Sequence, residues 1–549
     1  MTAGSIQPGR PLALFVWVAV VAAGAWLRFW QIDIQILLDD EWHALHRLMQ
    51  AGYAEIFLSF GHADYTIPLT LLFRGLADSI GLYEWQMRLL PMVFGLAAIV
   101  IVPTLLRPWL QSAERLSLAA LIAVSPLLIH FSRFVRPYAL VVLLGFAAMI
   151  LLWQWWRHGG RGRAIGFFLC AVTAAWLHPL TTLYTGTALT WFAIAGIHRW
   201  YRAGESRPFW SVMALGGLTT AACSALILPP LLADTASIAV KAGKHSIELQ
   251  TLMRTWEMVL GIGSPWLAAV LAVPVAVGAR ILWLRDRSFL CFWLVLTLVS
   301  GVIIQLLGPE WVRNALVLVR YTVISMPLVL GLLAIGLVRI VALCIDRLRC
   351  RRVWMFPACA AVVAGLYLAG PLPATYSGVN QFTNSVRYQI DYNFERSIFH
   401  SIMSPLEIPD FYNKIANEPG QWRLIEAAWH FETHFTPISQ YQRSHQLPIQ
   451  IGMISGLCTD WTWGELRPES ELDIELGRFV FLSDVLQAED EINRFVVFPL
   501  SNPFEHERRP LPDLQPCIEA FEAHTGAPWH ESEDFVVFRL PASGRAGGS

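Results

Sequence analysis

The chain has 549 residues, of which 55% are hydrophobic and 15% charged, with a formal net charge of −1 and a mean hydropathy of +0.49. Soluble domains of this size carry about a quarter of charged residues, so the composition excludes an ordinary soluble globular protein. The near-neutral charge excludes a nucleic-acid partner and a polybasic tail.

Residues 11–30, PLALFVWVAVVAAGAWLRFW, carry no charge before Arg28. They are long enough to cross a hydrocarbon core of roughly 30 Å. No small-residue cleavage site follows and similar runs recur, which argues against a removed signal peptide. Residues 1–372 are read as one transmembrane domain with about eleven spans, near 11–30, 89–106, 116–132, 137–156, 164–180, 182–197, 210–231, 264–283, 289–307, 321–343 and 353–371. HPLTTLY makes a tight connection between the fifth and sixth. Between the first two spans, the loop 31–88 is long for a helix–helix connection. In it, EWHALHRLMQAGY and IPLTLLFRGLADSIGLY read as two short helices along the outer membrane surface, with a re-entrant helix as the alternative. Alternate short loops are arginine-rich: Arg107 and Arg115; Arg157, Arg161 and Arg163; Arg199, Arg202 and Arg207; Arg280, Arg285 and Arg287; Arg339, Arg347, Arg349, Arg351 and Arg352. The positive-inside rule places these loops and the N-terminus in the cytoplasm of a bacterial inner (plasma) membrane. An odd number of spans then sends the C-terminal part to the periplasm.

After residue 372 the pattern changes. WRLIEAAW, PIQIGMI, RFVFL, NRFVVFPL and DFVVFRL read as strands, and IPDFYNKIANE and LQPCIEAFEAHTG as helices. Residues 373–541 are expected to form a periplasmic α/β domain with a partly parallel sheet, and 542–549 a disordered tail. Six cysteines in or beside apolar runs read as small buried hydrophobes. Cys458 and Cys517 can form a disulfide in an oxidising compartment. The fold class is thus a mainly α polytopic membrane protein with a C-terminal α/β soluble domain.

The chemistry-bearing residues gather on the predicted outer face. LLDDEWHALH follows the first span directly, and its Asp39, Asp40 and Glu41 are costly near lipid unless solvated, paired or metal-bound. A solvated loop capping a helix is the competing reading. Asp40, Glu41 and His43 offer ligands for a divalent metal ion, although no HExxH-like pattern demands one. GHADYTIP adds His62 and Asp64 to the same loop. Arg133 and Arg136, in HFSRFVRPYAL, sit outside against the charge trend; an anionic partner or snorkelling to headgroups accounts for either. Arg313 and Arg320 lie at the outer mouth of a late span, with His178, Lys241, Lys244 and His245 on the same side. Carboxylates beside cations at phosphate depth suit group transfer off a lipid phosphate: a carboxylate takes the acceptor's proton, and cations stabilise the departing phosphate. No nucleotide-binding or nucleophile-elbow motif competes.

Four stretches, LRFWQIDIQILLDDEWHAL, GHADYTIPLTLLFRGL followed by RLLPMVFGLAAIVIVPTLL, SPLLIHFSRFVRPYALVVLL, and RYTVISMPLVLGLLAIGL, carry a resemblance in their order and spacing. Over about residues 11–345 the chain resembles the GT-C superfamily of membrane glycosyltransferases, which includes protein O-mannosyltransferases and lipid A aminoarabinose transferases. The resemblance implies a polyprenyl-phosphate-linked sugar donor, a lipid, glycan or protein acceptor, and chemistry on the outer side. It implies Asp40 as the catalytic carboxylate with Glu41 beside it, and leaves Asp39 able to exchange roles with Asp40. It implies Arg136 and Arg320 near the lipid phosphate, together with Tyr138 and Arg133 of the same connection. His62, Asp64, His43 and His178 would line the cavity. Where the family has His-Pro-Pro this chain has His62-Ala63-Asp64, which leaves the roles of His62 and Asp64 open. Two other classes stay in view: a non-catalytic scaffold acting through its outer domain, and a transporter. Transporters place their ionisable groups nearer mid-membrane.

Overall fold

The structure is a computed structural model that describes residues 10–30, 32, 41, 51–60, 66–80, 82, 84–239, 243–262, 264–309, 311–348, 355–368, 372, 407–427, 437–438, 441, 445, 447–454, 456–458, 479–487, 492–503 and 511–542. The chain forms two compact units: Met1–Trp30, Ala54–Leu69 and Arg88–Pro373; and Gln31–Tyr53, Thr70–Met87 and Ala374–Ser549.

The helices run α1 (Arg10–Phe29), α2 (Tyr53–Phe57), α3 (Ile67–Ile80), α4 (Glu84–Leu105), α5 (Ser112–Val124), α6 (Pro126–Arg133), α7 (Tyr138–His158), α8 (Arg161–Leu177), a 3-10 turn (Pro179–Thr181), α9 (Thr182–Ala203), α10 (Arg207–Ala233), α11 (Thr235–Ala239), α12 (Leu249–Leu260), α13 (Pro265–Arg285), α14 (Arg287–Leu307), α15 (Ala315–Thr322), a second 3-10 turn (Val323–Ser325), α16 (Met326–Arg347) and α17 (Met355–Leu368). Seven are long and apolar enough to cross a membrane: α4, α7, α9 with its 3-10 lead-in, α10, α13, α14, and α15–α16 taken through their joint. The bent pair α5 and α6 makes an eighth. Helices α1, α8 and α17 coincide with the other expected spans, at 11–30, 164–180 and 353–371, and fall short of that measure. The count of about eleven therefore becomes seven or eight among the described residues. Of the two short helices expected in 31–88, the second is α3; the first falls mostly outside the described residues.

Two spans are broken, each by a proline. Pro126 has no N–H for Ile122 O, so the helix ends at Val124 and restarts at an angle of 55°. Ser125 caps the new start, its Oγ accepting from Leu128 N at 3.4 Å. Pro327 likewise leaves Val323 O without its α-helical donor, and Met326 N takes that carbonyl in a 3-10 turn instead.

Helices α13 and α16 pack backbone to backbone. A Cβ on Gly278 would strike the Leu332 backbone, and one on Gly336 would strike Pro274. Small residues allow that approach where lipid supplies no hydrophobic drive between helices.

The ends of the helices sort by chemistry. Arg285 makes a bidentate pair with buried Glu114, NH1–Oε2 2.7 Å and NH2–Oε1 2.8 Å, and donates to Trp109 O at 2.7 Å. Asp286 accepts from Trp109 Nε1 at 3.1 Å and pairs with Arg157 at 3.4 Å. The Trp109 ring stacks on Phe289, with centroids 3.8 Å apart. Three of the arginine-rich loops are thereby tied together at one end of the bundle.

In the second unit, α18 (Asp410–Ala416) precedes β1 (Trp422–Ala427); β2 (Ile449–Met453), β3 (Phe479–Phe481), α19 (Leu482–Gln487), β4 (Asn493–Pro499), α20 (Gln515–Thr525), β5 (His530–Glu531) and β6 (Phe535–Leu540) follow. The sheet order is β3-β2-β1-β4-β6-β5. β1 pairs parallel with β2 and β4, and β2 parallel with β3, whereas β6 is antiparallel to β4 and β5. This is the expected mixed sheet. The two-residue β5 and the short α19 are elements that the sequence reading did not place. One face packs Ile425, Ala427, Val496, Phe498, Val536 and Phe538 against α19 and α20. A disulfide joins Cys458 to Cys517 on that side, with Cα atoms 4.9 Å apart.

Candidate functional site

The site is built on the connection between α6 and α7. Three fully buried arginines hold it. Arg28, at the end of α1, donates from Nε to Ser132 Oγ (3.0 Å), from NH1 to Gly24 O and Ala123 O (both 3.0 Å), and from NH2 to Ile122 O (3.2 Å). Ile122 O is the carbonyl that Pro126 orphans, so Arg28 supplies the donor that the proline removes. Arg133, at the end of α6, sends NH1 back to Trp30 O (2.6 Å), Arg28 O (3.3 Å) and Leu27 O (3.4 Å) at the carbonyl end of α1. A cation there also meets the negative end of the helix dipole. Arg88 Nε, on α4, donates to Arg133 O at 2.9 Å. The chain then turns sharply: Arg136 N closes on Phe134 O at 2.7 Å, and Pro137 starts α7 with its fixed φ. Arg136 is itself buried.

A ring-and-cation cluster rests on this connection. The Arg320 guanidinium, in the last turn of α15, lies 5.2 Å from the Tyr138 ring centroid and 6.0 Å from that of Phe134. The His178 ring, at the α8–α9 joint, lies 6.2 Å from Tyr138 and 5.8 Å from Tyr321. Phe131 packs on Tyr138 at 5.1 Å, and His130 on Phe134 at 4.7 Å. A guanidinium over aromatic faces is attracted to their negative π-faces and so is pre-oriented. Tyr138 opens the helix whose last turn carries Arg157, so the cluster and the arginine-rich loops sit at opposite ends, about 30 Å apart at 1.5 Å per residue.

The structure therefore brings together Tyr138, Arg320 and His178 in one cluster, and places Arg136 two residues from Tyr138. Arg133 faces the other way, into the α1 carbonyls. Glu41 is fully buried and belongs to the second unit. Asp39, Asp40, His43, His62 and Asp64 lie outside the described residues. Among the described residues no group of three or more His, Cys, Asp or Glu is arranged to hold a metal. The sequence reading did not single out Arg28 and Arg88 as site-builders. Their signal was positional: each is an arginine at the edge of an apolar run, where a span should carry none.

Two further polar groupings lie in the second unit. Asp78 accepts from Arg74 Nε and Tyr53 OH, both at 2.9 Å. Those hydrogen bonds, Arg74 first, hold its carboxyl below the usual value, and the Tyr53 phenol is raised by sharing Asp78. In the sheet domain, Tyr412 OH donates to buried Glu426 of β1 at 2.7 Å, and its ring packs on Tyr441 at 4.7 Å and His445 at 5.4 Å. Burial and the Glu426 carboxylate push the Tyr412 phenol well above its ordinary value, and burial lowers His445 to about 3. Tyr441 and His445 thus belong to a packed core of the sheet domain.

No family model and no curated protein matches the chain. Solved structures do show likeness. ArnT from Cupriavidus metallidurans in the apo state aligns with 97% of this chain and 99% of its own, at 13% identity and a TM-score of 0.47. The same protein bound to undecaprenyl phosphate aligns over 96% and 97%, at 12% identity and 0.45. The archaeal oligosaccharyltransferase AglB from Archaeoglobus fulgidus, in complex with an inhibitory peptide and a dolichol-phosphate, aligns over 80% and 64%, at 11% identity and 0.40.

Proposed function

We propose that this chain is a membrane glycosyltransferase of the GT-C type that moves a sugar from a polyprenyl-phosphate donor to an acceptor hydroxyl. The observation that carries the reading is the Arg320 guanidinium held over Tyr138, with the His178 ring 6.2 Å from that of Tyr138, at the end of the bundle away from the arginine-rich loops. In this reading α1, α8 and α17 also cross the membrane, the arginine-rich loops face the cytoplasm, and the sheet domain is periplasmic. The Cys458–Cys517 disulfide fits an oxidising compartment.

The reaction assigns one task to each group. Asp40, with Glu41 and Asp39 beside it, accepts the proton of the acceptor hydroxyl. The hydroxyl oxygen bonds to the anomeric carbon while the bond from that carbon to the phosphate oxygen breaks, with inversion. The electron pair leaves on the polyprenyl phosphate, whose growing negative charge meets Arg320 and Arg136 and the Tyr138 hydroxyl. Two guanidiniums suit phosphate better than ammonium groups, because their fork of donors matches its oxygens. Asp40, Glu41 and His43 would hold a divalent metal ion, which would supply positive charge for the leaving phosphate.

The test uses membranes containing the full chain and a lipid-linked sugar. Asp40→Asn should abolish transfer while leaving the protein inserted and able to retain polyprenyl phosphate; unchanged transfer would remove Asp40 from the mechanism. Mass spectrometry of lipid carried through purification separates enzyme from scaffold. The enzyme should bring polyprenyl phosphate with it, and Arg320→Gln should not.

A further inference from the structure

The joint between α15 and α16 lies five residues beyond Arg320, too far to touch a ligand held there. It is nonetheless held from three sides. Pro327 forbids a continuous α-helix, and the run Thr322-Val323-Ile324 is β-branched, so the chain takes a 3-10 turn over Val323–Ser325. Three neighbouring helices converge on this turn. Ser325 Oγ lies 3.1 Å from Tyr184 OH on α9 and 2.8 Å from Thr297 Oγ1 on α14. On the third side α7 comes in at Gly145, where a Cβ would stand 2.7 Å from the Ile324 side chain.

Two of these contacts tie the element carrying Arg320 to another member of the cluster. Tyr184 is six residues from His178 and shares its α8–α9 hairpin. Gly145 is two turns along the helix that Tyr138 begins. Ser325 is thus the hydroxyl through which the element carrying Arg320 is registered against those carrying His178 and Tyr138. An unpinned 3-10 turn could unwind, which would rotate the preceding turn and swing the guanidinium off the Tyr138 face.

We propose that Ser325 is a positioning residue: through its bridge to Tyr184 and Thr297 it holds Arg320 where the donor's phosphate binds. This rests on the phosphate-site reading above.

The experiment measures undecaprenyl phosphate binding to the purified full-length protein in detergent. Variants are Ser325→Ala, Tyr184→Phe and Arg320→Gln, together with the double variant Ser325→Ala/Arg320→Gln. Loss of an orienting hydroxyl should raise Kd about tenfold in Ser325→Ala and less in Tyr184→Phe. In the Arg320→Gln background Ser325→Ala should change Kd by less than twofold, because its effect runs through the guanidinium. A hydroxyl that merely stabilises the bundle would weaken binding equally in both backgrounds. Should Ser325→Ala fail to fold, Tyr184→Phe against Arg320→Gln completes the same cycle. If Arg320→Gln binds measurably more weakly than wild type while both hydroxyl variants bind within twofold of wild type, the positioning role is overturned alone. If wild type does not bind, or Arg320→Gln binds as well as wild type, the phosphate reading falls and takes the positioning role with it.

Discussion

Replacing Arg28 with Met tests the claim that a buried arginine repairs a proline break. The side chain keeps its length and apolar stem but loses every donor. Two backbone carbonyls at the end of α5, Ile122 O and Ala123 O, lose the guanidinium, as does Ser132 Oγ. An unsatisfied buried polar group costs about 1–3 kcal/mol, and the two carbonyls together give roughly 2–6 kcal/mol. In a protein stable by roughly 5–15 kcal/mol that is a large fraction. The assay is thermal unfolding of the purified chain in detergent, with amide exchange read over residues 120–130. Arg28→Met should lower the midpoint markedly and speed exchange at that bend. Pro126→Ala restores an N–H for Ile122 O, so the double variant should lose less than the sum of the single losses. An Arg28→Met protein as stable as wild type, with unchanged exchange at the bend, would refute the reasoning.

Three other outcomes follow from the described contacts. Glu114→Ala should destabilise by about 3–5 kcal/mol, because it leaves Arg285 without its bidentate partner at a largely buried site; thermal unfolding reads the loss. The sheet domain should weaken in acid: His445 is held to about 3 when folded against 6.5 as the ordinary value, so the unfolded chain binds the extra proton. Its stabilising share is complete above pH 6.5 and is lost as pH falls toward 3, at about 1.4 kcal/mol per pH unit. Limited proteolysis of the domain between pH 7 and pH 5 should show this in wild type and a flatter response in His445→Phe. Opening the Cys458–Cys517 disulfide, which spans 59 residues, should cost about 4 kcal/mol of chain entropy. The Cys458→Ser/Cys517→Ser chain should be cleaved in that domain at lower protease concentration than wild type.

Much of the architecture was legible because its signals are periodic or local. Spans announce themselves by length and apolarity, and the strands β1, β2, β3, β4 and β6 by short apolar runs between polar turns. The span count differs because α1, α8 and α17 fall short of the spanning measure among the described residues, and two runs that do count as spans are not straight. Run 116–132 contains Ser125-Pro126, and the structure breaks there; Ser325-Met326-Pro327 marks the second break in the same way. Both breaks were written in the sequence as a missing N–H four residues after a carbonyl. The two-residue β5 had no such mark, since its pairing with β6 is a tertiary contact.

The arginines show where sequence reasoning about a site loses resolution. Arg133 and Arg136 are three residues apart on one connection, and charge placement treats them alike. Their roles separate only when the partners are known. Arg133 spends NH1 on the carbonyl end of α1, and Arg28 and Arg88 brace the same turn. A ligand phosphate drawn to Arg133 would have to displace the backbone acceptors of α1. Arg320 has a different setting: its guanidinium lies over aromatic faces rather than in a set of backbone carbonyls. Cations of the first kind make a rigid floor, and in the proposed reading the second kind meets the phosphate. Exchanging the two by charge count alone would assign catalysis to a residue whose loss unfolds the connection. The discriminating signal is therefore what each guanidinium already touches, and a side-chain contact of that kind is set by tertiary packing across more than a hundred residues of chain.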